Sequence, residues 1–155
     1  MKMFDEKERL GVLDRIAEIS GGSKGESDAQ YALGEYDEAP FNELIGKTLT
    51  NVSGAIEGND FILFECSDGS KYTMLHFQDC CERVDIDDIC GDTDRLIGNV
   101  LLRADESTSH GEDDYHDSFT WTFYHLDTVK GNVTIKWYGT SNGYYSERVT
   151  LVKIA

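Results

Sequence analysis

Basic residues are scarce in this chain. Its 155 residues carry 14 Lys and Arg against 30 Asp and Glu, a formal net charge of −16. Nucleic acid and anionic membrane surfaces are polyanions and repel such a chain. Neither direct nucleic-acid binding nor membrane association is therefore expected. The charge favours a basic surface or a divalent cation as partner, and a merely solubilising role stands beside both. Long apolar runs are missing too, since no stretch approaches the roughly 20 residues of a membrane-spanning helix. The first residues, Met1 to Arg9, lack the apolar centre of a secretory signal. Cytoplasmic residence is the expectation. Proline occurs once, at Pro40, which leaves any β-ladder after it uninterrupted.

Cysteine is sparse: Cys66, Cys80, Cys81 and Cys90. Without a secretory signal these are expected as reduced thiols. Cys80 and Cys81 are adjacent and lack the two-residue gap of a structural zinc site.

What is present suffices for one core. Hydrophobic residues make up 39% of the chain, with 8 Tyr, 7 Phe and 2 Trp, and a chain of this length fits one domain with an appended arm. In the arm, Leu10, Leu13, Ile16 and Ala17 recur at helical spacing and Ser20-Gly21-Gly22-Ser23 stops the pattern. Residues 21 to 40 read as a Gly/Ser/acid-rich linker. The arm offers a route to a homodimer.

Residues 41 to 155 read as the folded body, mostly strands. Phe41 to Gly46 forms a turn or helical start, and Leu49, Val52 and Ala55 suggest an opening strand. Phe61 to Cys66 and Lys71 to Phe77 flank Ser67-Asp68-Gly69-Ser70, a hairpin signal. Residues 83 to 89 alternate imperfectly. Asp94 to Leu102 suggests a helical turn leading into a strand. Asp105 to His116 shows no strand or helix pattern and is expected as an exposed loop. Phe119, Trp121 and Phe123 alternate with Thr120, Thr122 and Tyr124. After a turn at Lys130 to Asn132, Val133, Ile135 and Trp137 alternate with Thr134, Lys136 and Tyr138. A last strand within Tyr144 to Ile154 would complete a three-stranded meander. The expected fold class is α+β, mainly β: an antiparallel sheet as meander, open barrel or sandwich, with a short N-terminal helix.

Several segments also carry a resemblance: Leu44 to Leu49, Phe77 to Glu82, Asp87 to Asp92, Leu96 to Gly98, Asp117 to Tyr124 and Trp137 to Glu147. Over residues 41 to 155 the chain resembles an uncharacterised family of small proteins found largely in bacteriophages and prophages. The resemblance implies a phage or prophage origin and a bacterial host cytoplasm. It implies no activity, so no catalytic residue is carried over.

Three constellations bear on chemistry. The first runs from His76 to Asp92 and holds Asp79, Glu82, Asp85, Asp87, Asp88 and Asp92 with three of the cysteines. Carboxylates suit calcium or magnesium, whereas Cys and His suit zinc. The mixture matches no metal cleanly, and a solvated acidic face with core cysteines reads it equally well. The second is an aromatic surface of Trp137, Tyr138, Asn142, Tyr144 and Tyr145, suited to stacking or a protein interface, or else to a plain hairpin with cross-strand tyrosines. The third is His110 to Asp117, with Glu112, Asp113, Asp114 and His116, which lacks a nucleophile, a phosphate loop and metalloenzyme spacing.

Three functions follow from these. The first is an acidic phage-encoded protein-binding module without catalytic residues or cofactor. Its partner would be a host protein with a basic surface, engaged by nucleic-acid charge mimicry as an inhibitor of host defence. The second is a small-molecule or nucleotide-binding protein, which for an anionic ligand would need Arg83, Arg103, Lys136, Arg148 and Lys153 to converge. The third is a metal-dependent hydrolase, which would need His76, His110 or His116 to converge with carboxylates.

Overall fold

A computed structural model describes residues 38–78, 80–112 and 117–154. The arm helix expected over residues 1 to 20 and most of the expected linker lie outside the described residues.

The body is mainly β, built as two antiparallel sheets. Its strands are β1 (Leu49–Ser53), β2 (Phe61–Cys66), β3 (Lys71–Leu75), β4 (Arg83–Cys90), β5 (Arg103–Glu112), β6 (Ser118–Thr128), β7 (Gly131–Ser141) and β8 (Thr150–Lys153). One sheet has the order β1-β2-β3-β8 and the other β4-β7-β6-β5. Helix is confined to 3-10 turns at Phe41–Leu44 and Thr93–Leu96 among the described residues. No helix there is long and apolar enough to cross a membrane.

The β2–β3 hairpin forms as the Asp68-Gly69 pair requires. Gly69 has φ +88°, a left-handed conformation with little cost for glycine. Asp68 accepts from the Ser70 backbone N–H at 2.9 Å and from the Lys47 ammonium at 2.8 Å. The long β6–β7 hairpin also forms, in continuous register from Ser118↔Ser141 to Thr128↔Gly131.

Both sheets feed one core. Ile62, Phe64, Tyr72, Met74 and Leu151 from the first meet Val84, Ile86, Tyr124, Leu126, Val133, Ile135 and Trp137 from the second. The Tyr72 hydroxyl donates to Glu43 at 2.7 Å and ties the first 3-10 turn to the sheet. Burial, then the bond to Glu43, pushes the Tyr72 phenol up to about 12.

Three expectations change. The last strand does not extend a meander: β8 leaves β7 and pairs antiparallel with β3 in the other sheet, Tyr72↔Lys153 through Leu75↔Thr150. Its residues Leu151 and Val152 are buried by that sheet. Residues 103 to 112 are not a loop but a strand of 10 residues paired with β6 at every position from Arg103↔Asp127 to Glu112↔Ser118. As an edge strand exposed along most of its length, it has no buried face to impose an alternating pattern. The cysteines are not all thiols: Cys80 and Cys81 are bonded to each other, and Cys66 and Cys90 are free.

The imperfect alternation of residues 83 to 89 has a structural cause. The β4–β7 register shifts between Ile86 and Asp88, leaving Asp87 as an extra residue. The bulge resets the phase, so Val84 and Ile86 face the core before it and Ile89 packs against the core after it.

Candidate strand-edge site and its cleft

The expected acidic surface is largely engaged locally. Asp85 pairs with Arg83 at 2.9 Å, and Asp87 with Lys136 at 3.4 Å. Asp88 folds back to the Ile89 N–H and lies against the Cys90 thiol, which it pushes up. Asp92 caps the second 3-10 turn by accepting from the Asp94 N–H at 2.9 Å. Glu82 is buried rather than displayed. Glu112 ends β5 and is exposed. Asp79, Asp113, Asp114 and His116 lie outside the described residues.

Glu82 instead anchors the link between the two sheets. Its Oε2 faces His76 Nε2 at 3.1 Å, and its Oε1 accepts from the Cys80 N–H at 2.8 Å and the Gln78 amide at 3.0 Å. The other ring nitrogen, His76 Nδ1, lies 2.7 Å from the Arg148 carbonyl.

The aromatic surface divides. Trp137 is fully buried in the core, so it stacks on no ligand, and its Nε1 has no hydrogen-bond partner. Tyr138 lies on the outer face, its ring 4.1 Å from Trp121. The Lys136 ammonium sits 4.1 Å over the Trp121 ring, so the chain's own cation occupies that aromatic face. Asn142 accepts from the Tyr144 N–H in the turn. Tyr144 is 83% exposed and meets Tyr145 edge-on at 5.0 Å.

The five basic residues needed for an anion pocket do not converge. Arg83 and Lys136 hold Asp85 and Asp87, Arg103 holds Asp105, Arg148 holds Glu38, and Lys153 stands on β8 in the other sheet. Among the described residues no group of three or more His, Cys, Asp or Glu could hold a metal ion.

Alternation on β6 places Thr120, Thr122 and Tyr124 inward and Phe119, Trp121 and Phe123 half-buried on the outside. The inward row, with Glu106, Thr108 and His110 of β5, forms one wall of a cleft of about 710 Å³. The opposite wall is Glu38 to Phe41 and Ser146 to Leu151. Glu147 is the buried carboxylate of this cleft. It accepts from Thr120 Oγ1 at 2.7 Å and Ser141 Oγ at 2.5 Å. Gly139 makes room for it, since a Cβ there would stand 2.9 Å from the Glu147 Cβ. While it donates to Glu147, Thr120 Oγ1 also lies 2.9 Å from His110 Nδ1. Burial, with Glu106 nearby, pushes the Tyr124 phenol well above its ordinary value.

The chain matches a family described as a domain of unknown function, DUF7448, over residues 42–151. It belongs to that family. No curated protein and no solved structure matches this DUF7448 chain.

The sheet edges of this DUF7448 domain differ in one respect. The outer edge of β1 is covered by Ile97 to Leu101, through Gly98 N–H to Leu49 O at 2.9 Å and Leu101 N–H to Lys47 O at 2.8 Å. That of β4 is met at Ile86, by Gly58 N–H to Ile86 O at 2.7 Å and Ile86 N–H to Asn59 O at 2.8 Å. That of β8 is covered by Glu38 and Ala39, with Ala39 N–H to Leu151 O at 2.9 Å. No such backbone bond closes the outer edge of β5 among the described residues. This edge and the cleft beside it were not visible in the sequence as a site. The Ser107-Thr108-Ser109 run, with no proline or glycine before Gly111, was its one available strand signal.

Proposed function

We propose that this chain is a protein-binding module that takes an extended basic segment of its partner as an added strand on β5. One observation carries the reading: among the described residues β5 is a sheet edge of 10 residues with no backbone bond on its outer side, whereas β1, β4 and β8 are each met there by the chain's own backbone at one point or more. An open edge presents a row of unpaired N–H and C=O groups, a template for β-augmentation. The β5–β6 ladder has no register shift over its 10 residues, so the edge is straight enough to template a partner.

Charge selects the partner. β5 carries Asp105, Glu106 and Glu112 against Arg103, which is already paired with Asp105 at 2.6 Å. Another copy of the same edge is repelled and a basic strand attracted. Catalytic residues have no place in this reading. The partner with a basic surface becomes a basic strand, and a host protein met by a phage- or prophage-encoded inhibitor belongs to the same proposal. Nucleic-acid charge mimicry by the 79–94 stretch finds less support, because its described carboxylates are held by neighbours.

The test is fluorescence anisotropy with a labelled peptide alternating arginine and valine, using the full chain. The reading expects binding that weakens steeply between about 0.05 and 0.5 M salt, and none for a peptide alternating glutamate and valine. Equal binding of both peptides, or affinity indifferent to salt, overturns it.

A further inference from the structure

We infer that the cleft between β5–β6 and the Ser146 to Leu151 segment is a pocket for an alkylguanidinium or alkylammonium group. The inference rests on the strand reading where that group is a partner side chain: alternate residues of a strand laid on β5 would turn to the cleft side. It stands on the cleft's own chemistry in either case.

Besides Arg148 and His110, the polar side chains around the cleft are carboxylates and hydroxyls, all able to accept. Arg148 is engaged by Glu38, which leaves Glu106 and Glu147 as carboxylates without a cation among the described residues. Glu147 orders what lies above it. It accepts from Thr120 Oγ1, and Thr120 Oγ1 lies 2.9 Å from His110 Nδ1, so the buried carboxylate fixes the hydroxyl against which the His110 ring is set. Glu106 and Thr108 line the same wall as His110 and offer a carboxylate and a hydroxyl as acceptors for a donor-rich group.

The apolar part of the lining points to the same ligand class. Phe41 and Tyr124 meet edge-on at 4.7 Å and both line the cleft. Aromatic rings beside a carboxylate favour a cation with a flat or alkyl body. An anion would meet Glu106 and Glu147, and a plain hydrocarbon would leave the Glu106 charge uncompensated. At about 710 Å³ the cleft lies within the usual size of ligand pockets, roughly 300–1,000 Å³.

The probes are butylguanidinium, its neutral isostere butylurea, and the arginine–valine peptide, each titrated into the full chain and followed by amide NMR. Butylguanidinium is expected to shift Thr108, Thr120, Thr122 and Tyr124 while butylurea does not. Glu106→Gln should weaken binding about tenfold, since it removes the charge from an exposed acceptor and leaves the shape. Thr120→Val should weaken it severalfold by breaking the order imposed on His110, and Thr134→Val on the outer face should leave it unchanged. Equal binding of butylurea, shifts elsewhere, or full affinity in Glu106→Gln overturns the inference. Peptide pairing on β5 without cleft shifts from butylguanidinium overturns the inference and supports the strand reading. Cleft shifts without peptide pairing support the cleft as a site for a free small cation and overturn the strand reading.

Discussion

His76 Nε2 and Glu82 Oε2 stand 3.1 Å apart, with the two side chains 4% and 0% exposed. Glu82 begins the passage into β4, and His76 follows β3, so the pair clasps the connection between the sheets. A buried carboxylate is tolerated because its oxygens are also bonded by Cys80 and Gln78.

Removing Glu82 takes their shared acceptor from His76 Nε2, the Cys80 N–H and the Gln78 amide. Glu82→Ala is expected to cost about 1–3 kcal/mol in urea unfolding, and the double change His76→Phe with Glu82→Met less than the sum of His76→Phe and Glu82→Met alone. Additive losses would show that the two groups do not act as a pair.

Gly139 carries no side chain where Glu147 needs the space. Gly139→Ala places a methyl 2.9 Å from the Glu147 Cβ and 3.2 Å from its carbonyl oxygen. The expected loss is about 1–3 kcal/mol from overpacking, accompanied by NMR shifts at Thr120 and Ser141. A change confined to β4, with Thr120 and Ser141 unmoved, would contradict the placement of Glu147.

The two tryptophans differ in access. Trp137 is fully buried in the core, whereas Trp121 is half-buried on the outer face under Lys136. In Trp121→Phe the remaining fluorescence should resist acrylamide, and in Trp137→Phe it should be quenched readily. The reverse order would place β7 with its opposite face inward, since a one-residue slip turns every side chain over.

Acid stability should depend on Asp68. The Lys47 and Ser70 bonds hold its carboxyl well below the usual carboxylate range. A group with a depressed folded value contributes stability above its unfolded value, about 3.9, and that contribution is lost as pH falls below it. Asp68→Asn should therefore lower the melting temperature at pH 7 and narrow its gap from the wild type toward pH 2. A gap that widens on acidification would contradict the Asp68–Lys47 link.

The legible parts of this fold were those with a local cause. The Asp68-Gly69 hairpin and the β6–β7 alternation need only a turn and a period of two. The destination of β8 is a choice between sheets, made by burial of Leu151 and Val152 rather than by anything within Thr150 to Lys153. The site was hidden for a related reason. Glu147 reads as one acid among thirty, and only folding brings it under Thr120 and Ser141. Strand β5 is polar because it is exposed along most of its length.

The central claim is that β5, whose outer edge carries no backbone bond among the described residues, takes a basic strand, and amide hydrogen exchange tests it most directly. With the arginine–valine peptide bound, exchange should slow along Arg103 to Glu112 and stay unchanged in β1, β4 and β8. Protection at one of the covered edges, or none on β5 at saturating peptide, would contradict the account.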